Sequence, residues 1–242
     1  MEKTQETKNA EKFVKISYTG RVKDGPVFDT TDKEAAKKEG IFEEKRVYKP
    51  LPVILGHHQI IPGLEDVVKE MNVGEEKDVE ILPAKAYGER NPELVRLIPL
   101  KAFRDQKINP IPGMRLELDG RPAKIQTVAG GRVRVDFNSD LAGKTLAYKV
   151  KLEGEAKKIE EKIEFLVERS FNTADDFEVK ISGANIEVKI PDTAFRDRNI
   201  LVRKASLASE IFGYTSLENV TFTETWKKVK DKPKEEKKEA KA

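Results

Sequence analysis

The 242-residue sequence contains no cysteine and only two histidines, the adjacent His57 and His58. Without cysteine there are no disulfides, no thiol nucleophile and no Cys-ligated metal, and a reducing, cytoplasmic compartment is the natural expectation. Two neighbouring imidazoles leave little for general-base or metal chemistry, so structural or solvent-facing roles are expected for both. No stretch approaches the roughly 18 apolar residues of a bilayer span, and the first residues hold no apolar segment of signal-peptide type. Charge of one sign is missing too. The 46 Lys and Arg face 43 Asp and Glu, and a net +3 gives no global field for nucleic acid or membrane.

Periodicity organises the chain into unequal blocks. Val14, Ile16 and Tyr18 alternate as a half-buried strand, and Asp32–Lys38 reads as a short polar helix closed by Gly40. A strand over Val53–Leu55 precedes Pro62-Gly63, after which Leu64, Val67, Val68 and Met71 mark one helical face, with Gly74 as its expected stop. Val79 and Ile81 alternate again. From Glu89 to Ser139 the pattern changes to hairpins, with turns at Asp119-Gly120 and Gly130-Gly131 joining a three-strand meander. Leu146, Tyr148, Val150 and Leu152 then resume a strand like those before Glu89, so residues 89–139 read as an insertion into a host domain.

Beyond Gly154 the pattern becomes α-β-β-α-β. One helix covers 157–171, two strands follow, a second helical run spans about Phe195–Tyr214, and Val220–Trp226 is the last strand. The expected organisation is therefore α+β: a disordered N-terminus (1–10), a host domain (11–88 and 140–154), a β-rich insert (89–139), a C-terminal module (155–226) and a disordered lysine-rich tail (227–242).

Motifs for phosphate, dinucleotide or metal binding are not found, and no nucleophile elbow is present. What stands out is an apolar and aromatic set in the host domain. Its members fall in ordered motifs: Tyr18-Thr19-Gly20, Phe28-Asp29-Thr30-Thr31, Leu55-Gly56, Ile60-Ile61-Pro62-Gly63-Leu64-Glu65 and Ala86-Tyr87-Gly88. In this order they resemble the FKBP-type peptidyl-prolyl isomerases. The insert after Gly88 and the return at Leu141-Ala142-Gly143 are similar to the long SlyD-type branch, and the C-terminal module resembles the longest archaeal members.

That resemblance implies an antiparallel sheet wrapped on the Leu64–Met71 helix, an inserted flap domain, and rotamase activity without a cofactor or metal. It places Tyr18, Phe28, Asp29, Leu51, Ile60, Ile61, Leu64, Tyr87 and Tyr148 around an apolar pocket, with the Tyr87 hydroxyl donating to a substrate carbonyl and Asp29 organising the pocket. Leu51, Leu64 and Tyr148 stand where Phe, Trp and Phe are common in the family, which implies a less aromatic pocket. The flap is expected to hold unfolded, proline-containing clients through Leu94, Leu97, Ile98, Leu100, Phe103, Ile108, Met114 and Phe137. An insert of this size is too small to bury so many apolar groups.

The charge count sharpens on division. Residues 89–139 hold ten basic against six acidic residues and 155–226 hold ten against fourteen, so the near-neutral mean averages a basic insert and an acidic module. The module leaves three uses open: homo-oligomerisation, extra client surface and stabilisation. Two other classes of function also stay open, a non-catalytic chaperone on the same scaffold and a nucleic-acid binder using the tail. The acids Asp231, Glu235, Glu236 and Glu239 dilute that tail, so the expected partners are protein clients, with neither nucleic acid nor membrane.

Overall fold

A computed structural model describes residues 11–226. The expected disordered segments 1–10 and 227–242 lie outside the described residues. The chain divides after Glu155 into two compact units.

The first unit contains β1 (Phe13–Val22), β2 (Val27–Thr30), α1 (Lys33–Lys38), β3 (Leu51–Ile54), α2 (Pro62–Lys69), β4 (Glu76–Ile81), β5 (Val95–Pro99), α3 (Leu100–Asp105), β6 (Arg115–Leu118), β7 (Arg121–Ala129), β8 (Arg132–Asp136) and β9 (Leu146–Ala156). Five of these strands form one sheet, ordered β2-β1-β9-β4, with β3 pairing the other half of β1. The long β1 takes both partners antiparallel, β3 along Phe13–Ile16 and β2 along Thr19–Arg21. Strict alternation in β9 buries Leu146, Tyr148, Val150 and Leu152 and turns Lys149 outward, where it pairs with Glu76 of β4. The buried face meets Leu64, Val68 and Met71 from the α2 segment.

Two local features place α2. Pro62 occupies its first turn, where a missing N–H costs nothing. Gly63 lies so close to β4 that an added Cβ would stand 2.4 Å from Ile81 Cγ2. Gly63→Ala is therefore expected to lower stability by about 1–3 kcal/mol through overpacking, read as a lower denaturant midpoint at unchanged slope. The helix ends at Lys69 with Glu70 as its cap. Gly74 does not stop it: at φ +89° it serves the turn into β4, and its N–H donates to Leu152 O at 2.7 Å. Buried Glu65 ties α2 to the preceding loop, accepting from Gly56 N at 2.6 Å and pairing with Lys69 at 2.8 Å. Those bonds hold its carboxyl below the usual range although burial opposes them.

Residues 95–136 form a four-stranded antiparallel sheet, β5-β8-β7-β6, not the expected three-strand meander. The added strand is β5, a five-residue segment closed by Pro99. Its core is Phe103, Ala123, Ile125, Val133 and Val135. The two crossings to the first sheet are stapled together. Asn91 N donates to Asn138 Oδ1 at 2.9 Å, Asn138 Nδ2 returns a bond to Asn91 O at 2.9 Å, and Gly143 N donates to Gly88 O at 2.8 Å. Beside them the buried Asp136 carboxylate accepts from Arg90, from Gln126 Nε2 at 2.8 Å and from the backbone and side chain of Asn138.

The second unit contains α4 (Ile159–Phe171), β10 (Glu178–Ser182), β11 (Asn185–Ile190), α5 (Ile200–Tyr214) and β12 (Asn219–Glu224). β10 and β11 form an antiparallel hairpin, and β12 joins β11 in parallel after the α5 crossover. The helical run expected from about Phe195 is broken: a 3-10 turn at Asp192–Arg196 comes first, and α5 begins only at Ile200. Arg203 fixes that break, pairing with Asp197 at 2.5 Å and donating to Ser170 O of α4.

Candidate active site

The first sheet and the start of α2 enclose a cavity of about 480 Å³, within the usual range for small-ligand pockets. Each wall comes from a different element. Tyr18 projects from β1, Asp29 from β2, Leu51 from β3 and Tyr148 from β9. Ile60, Ile61 and Leu64 come from the Glu65-tied loop and the first turn of α2, and Tyr87 from the segment after β4. Leu64 and Tyr148 are buried and form the floor, whereas Tyr87 is 43% exposed and stands at the rim. Eight of the nine residues expected around one pocket thus share it.

Phe28 is not among the residues lining the cavity and stands partly exposed against the same core cluster. It packs edge-on against Tyr148, with ring centroids 5.9 Å apart at 82°. Gly20 makes this packing feasible, because a Cβ there would fall 2.8 Å from Tyr148 Cε1 and 2.9 Å from Phe28 Cζ.

Electrostatically, the centre of the site is a locked carboxylate. Asp29 Oδ2 accepts from Tyr18 Oη at 2.6 Å, and Asp29 Oδ1 lies 2.6 Å from Arg46 Nη2. With one oxygen on a phenol and the other on a guanidinium, Asp29 is organised as an anchor and has no oxygen turned over to proton abstraction. Burial, then the bond to Asp29, pushes the Tyr18 hydroxyl well above the usual tyrosine range. Burial also raises Tyr148, with Tyr87 and Asp29 adding to it, and raises Tyr87, with Asp29 contributing. All three phenols are thus held as O–H donors. The hydroxyls of Tyr87 and Tyr148 have no hydrogen-bond partner among the described residues.

Arg46 was not legible beforehand. It sits in the irregular segment between α1 and β3, where no periodicity marks it, and only the need of a half-buried carboxylate for a counter-charge pointed to such a residue. Burial opposes its charge, but Asp29 outweighs that and holds the guanidinium above its usual value. His58, Gln59 and Pro62 also line the cavity. His58 is open to solvent, 3.9 Å from Glu65, and His57 lies 3.1 Å from Glu11. No group of three His, Asp or Glu among the described residues is placed to hold a metal.

The residues expected to hold clients are dispersed. Phe103 is 2% exposed at the centre of the insert core and is withdrawn from that set: α3 folds it onto the sheet, so the insert buries more than its size suggested. Ile98, Leu100, Ile108, Met114 and Phe137 are partly buried around that core, Leu94 is half-buried, and Leu97 is 61% exposed. Chemically, the cavity can enclose a small apolar ring and donate hydrogen bonds to a carbonyl beside it. It contains no activated nucleophile.

Comparison with known proteins finds relatives for each part of the chain. The family model described as FKBP26, IF domain matches residues 96–141, and the one described as FKBP26_C-terminal matches 159–227. The chain is 42% identical over 140 residues to the short-type peptidyl-prolyl cis-trans isomerase of Methanocaldococcus jannaschii, covering 58% of this chain and 88% of that protein. It is 35% identical over 144 residues to the FKBP-type peptidyl-prolyl cis-trans isomerase SlyD of Treponema pallidum, covering 57% of this chain and 72% of that protein.

Proposed function

The chain belongs to the FKBP-type peptidyl-prolyl cis-trans isomerases, and from that premise we propose that the Tyr18–Tyr148 cavity isomerises X-Pro bonds in protein clients captured by the insert. Rotation about a peptide bond meets a barrier of about 18–20 kcal/mol from amide resonance. At X-Pro both isomers are populated but exchange in roughly tens to hundreds of seconds. Twisting the bond moves no proton and breaks no covalent bond, so a site with few reactive groups suffices. It must bind the twisted imide better than either planar form.

Leu64 and Tyr148 supply an apolar floor for the prolyl ring, and twisting reduces the charge separation of the amide, so dry walls favour the transition state. The observation that carries the reading is the pair of uncommitted phenol donors, Tyr87 and Tyr148, over that floor beside an Asp29 whose oxygens are already engaged. In a protease-coupled assay on a proline tetrapeptide, Tyr87→Phe is expected to lower kcat/KM about three- to tenfold, one lost hydrogen bond, with unchanged thermal stability. An unchanged kcat/KM refutes the assigned role.

Residues 11–88 and 140–154 would then be the catalytic body and 89–139 a holdase. Support for the holdase comes from β5, an edge strand without an outer partner among the described residues. Phe137 N donates to Leu94 O and Leu100 N to Gly131 O, and alternation from these bonds turns the backbone of Val95 and Leu97 towards the free edge. An extended client could add there as a further strand over the exposed Leu97, with Ile98 of the same strand and Leu100 just beyond it as apolar neighbours. The module at 155–226 is read as the seat of homo-oligomerisation, because Leu201 and Val202 of α5 are 74% and 69% exposed. We place the protein in the cytoplasm; no helix among the described residues is long and apolar enough to cross a membrane.

A further inference from the structure

The insert carries more cations than its own acids neutralise. Arg90 is spent on Asp136, and Arg115 and Lys124 on Asp140. Arg96, Arg121, Arg132 and Arg134 have no carboxylate within ion-pair distance among the described residues, although Glu93, Glu117 and Asp119 lie in the same segment. On the first sheet, by contrast, Lys23, Lys77 and Lys149 all find a glutamate within 3.2 Å. Arg21 of β1 and Arg196 and Arg198 of the second unit also lack an ion-pair partner among the described residues, so what sets the insert apart is that four such arginines share one four-stranded sheet.

Their placement is specific. Arg96 and Arg121 each stand 5.6 Å from the centroid of the half-buried Phe137 ring, which brings two uncompensated guanidiniums to within roughly a Debye length of each other. One ring attracts each of them weakly, but it does nothing to cancel their mutual repulsion. A carboxylate arriving there does both: it satisfies planar donor forks and removes the like-charge cost. Arg96 belongs to the edge strand itself. On the opposite face of the sheet Arg134 lies directly across from the exposed Leu97, and Arg132 across from Pro99. A strand added at the β5 edge would present its side chains alternately to these two faces, and each face offers an apolar group with a free arginine beside it.

We infer that the insert reads acidic-apolar segments: it selects extended client stretches in which Asp or Glu alternates with large apolar side chains, through Arg96 and Arg121 at Phe137. The inference rests on the client-capture reading above and adds to it the chemical class of the segment captured. A carboxylate-bearing peptide fits better than a phosphate backbone, because Arg96 stands between apolar residues on the edge strand, with Arg134 and Arg132 on the adjoining strand, and only a polypeptide can add to that edge through its backbone.

The test uses the full chain and three fluorescein-labelled, proline-free peptides of identical apolar sequence that differ only in carrying Glu, Gln or Lys at alternate positions. At low salt the Glu peptide is expected to bind at least tenfold more tightly than the Lys peptide, with Gln between, and the gap should shrink several-fold near physiological salt and above. Arg96→Gln together with Arg121→Gln should close the gap, leave the Gln peptide's affinity within twofold, and leave tetrapeptide turnover unchanged. Equal binding of Glu and Lys peptides overturns the inference, as does a gap that survives the double substitution. Tighter binding of a single-stranded oligonucleotide of matched charge overturns it in favour of a phosphate ligand. If none of the three peptides binds, client capture by the insert fails as well, a result distinct from capture without charge preference.

Discussion

Deletion of residues 89–139 should leave turnover of a proline tetrapeptide within about twofold of the intact chain and slow proline-limited protein refolding about a hundredfold. The geometry makes the first half expected. Gly143 N is bonded to Gly88 O at 2.8 Å, so the two ends of the deletion already meet and a short Gly-Ser link can close them. None of the residues lining the cavity lies between 89 and 139. The second half follows from effective concentration. A site that holds an unfolded chain beside the cavity raises local proline concentration, and such tethering is worth about 10²–10⁴ in apparent affinity without any new contact at the catalytic pocket. A tetrapeptide cannot reach both sites and gains nothing from the insert. Equal loss of both activities would show that the insert props up the cavity.

Asp29→Ala is expected to reduce kcat/KM about thirtyfold on tetrapeptide and protein substrates alike. Charge-assisted hydrogen bonds of this kind contribute roughly 1.5–3 kcal/mol. Here two partners depend on one carboxylate: Tyr18 Oη and the Arg46 guanidinium both lose their anchor. Arg46 can turn to solvent, so the loss falls mainly on Tyr18 and on the wall it forms with Tyr148, whose ring centroid lies 5.9 Å away. Ultraviolet titration gives a readout that general destabilisation would not move. Burial and Asp29 both raise the Tyr18 value, so removing Asp29 should bring one phenol back towards the ordinary tyrosine range while Tyr148 stays high. The sign for the intact chain follows. A raised folded value means the stabilising contribution of these phenols is complete below the usual tyrosine value. It is lost progressively as pH climbs from that value through the raised ones, so acid leaves it untouched.

How far the sequence carried depends on what each element had to encode. β1, β9 and α2 were legible because a buried face imposes a period, two for the strands and 3.6 for the helix, and their residues meet in one core. The pocket followed because its residues sit at fixed points on those elements. Phe28 meets Tyr148 edge-on without being among the lining residues, a distinction that sequence order does not carry. β5 was hidden by its shortness and its terminal Pro99, and its alternation of Val95, Arg96, Leu97 and Ile98 is blurred by an edge strand's two exposed faces. Phe103 was read as surface from the size of the insert alone, but one helical turn covering a four-stranded sheet buries it. Arg46 lies where the chain has no period at all, and only the carboxylate it serves explains it.

The measurement that bears most directly on the account is exchange NMR of a proline tetrapeptide in the presence of a catalytic amount of the intact chain, together with amide shift mapping on the protein. Accelerated cis-trans exchange, with the largest shifts at Ile61, Leu64, Tyr87 and Tyr148, is the predicted result. No acceleration, or acceleration with shifts confined to residues outside the cavity, would contradict it.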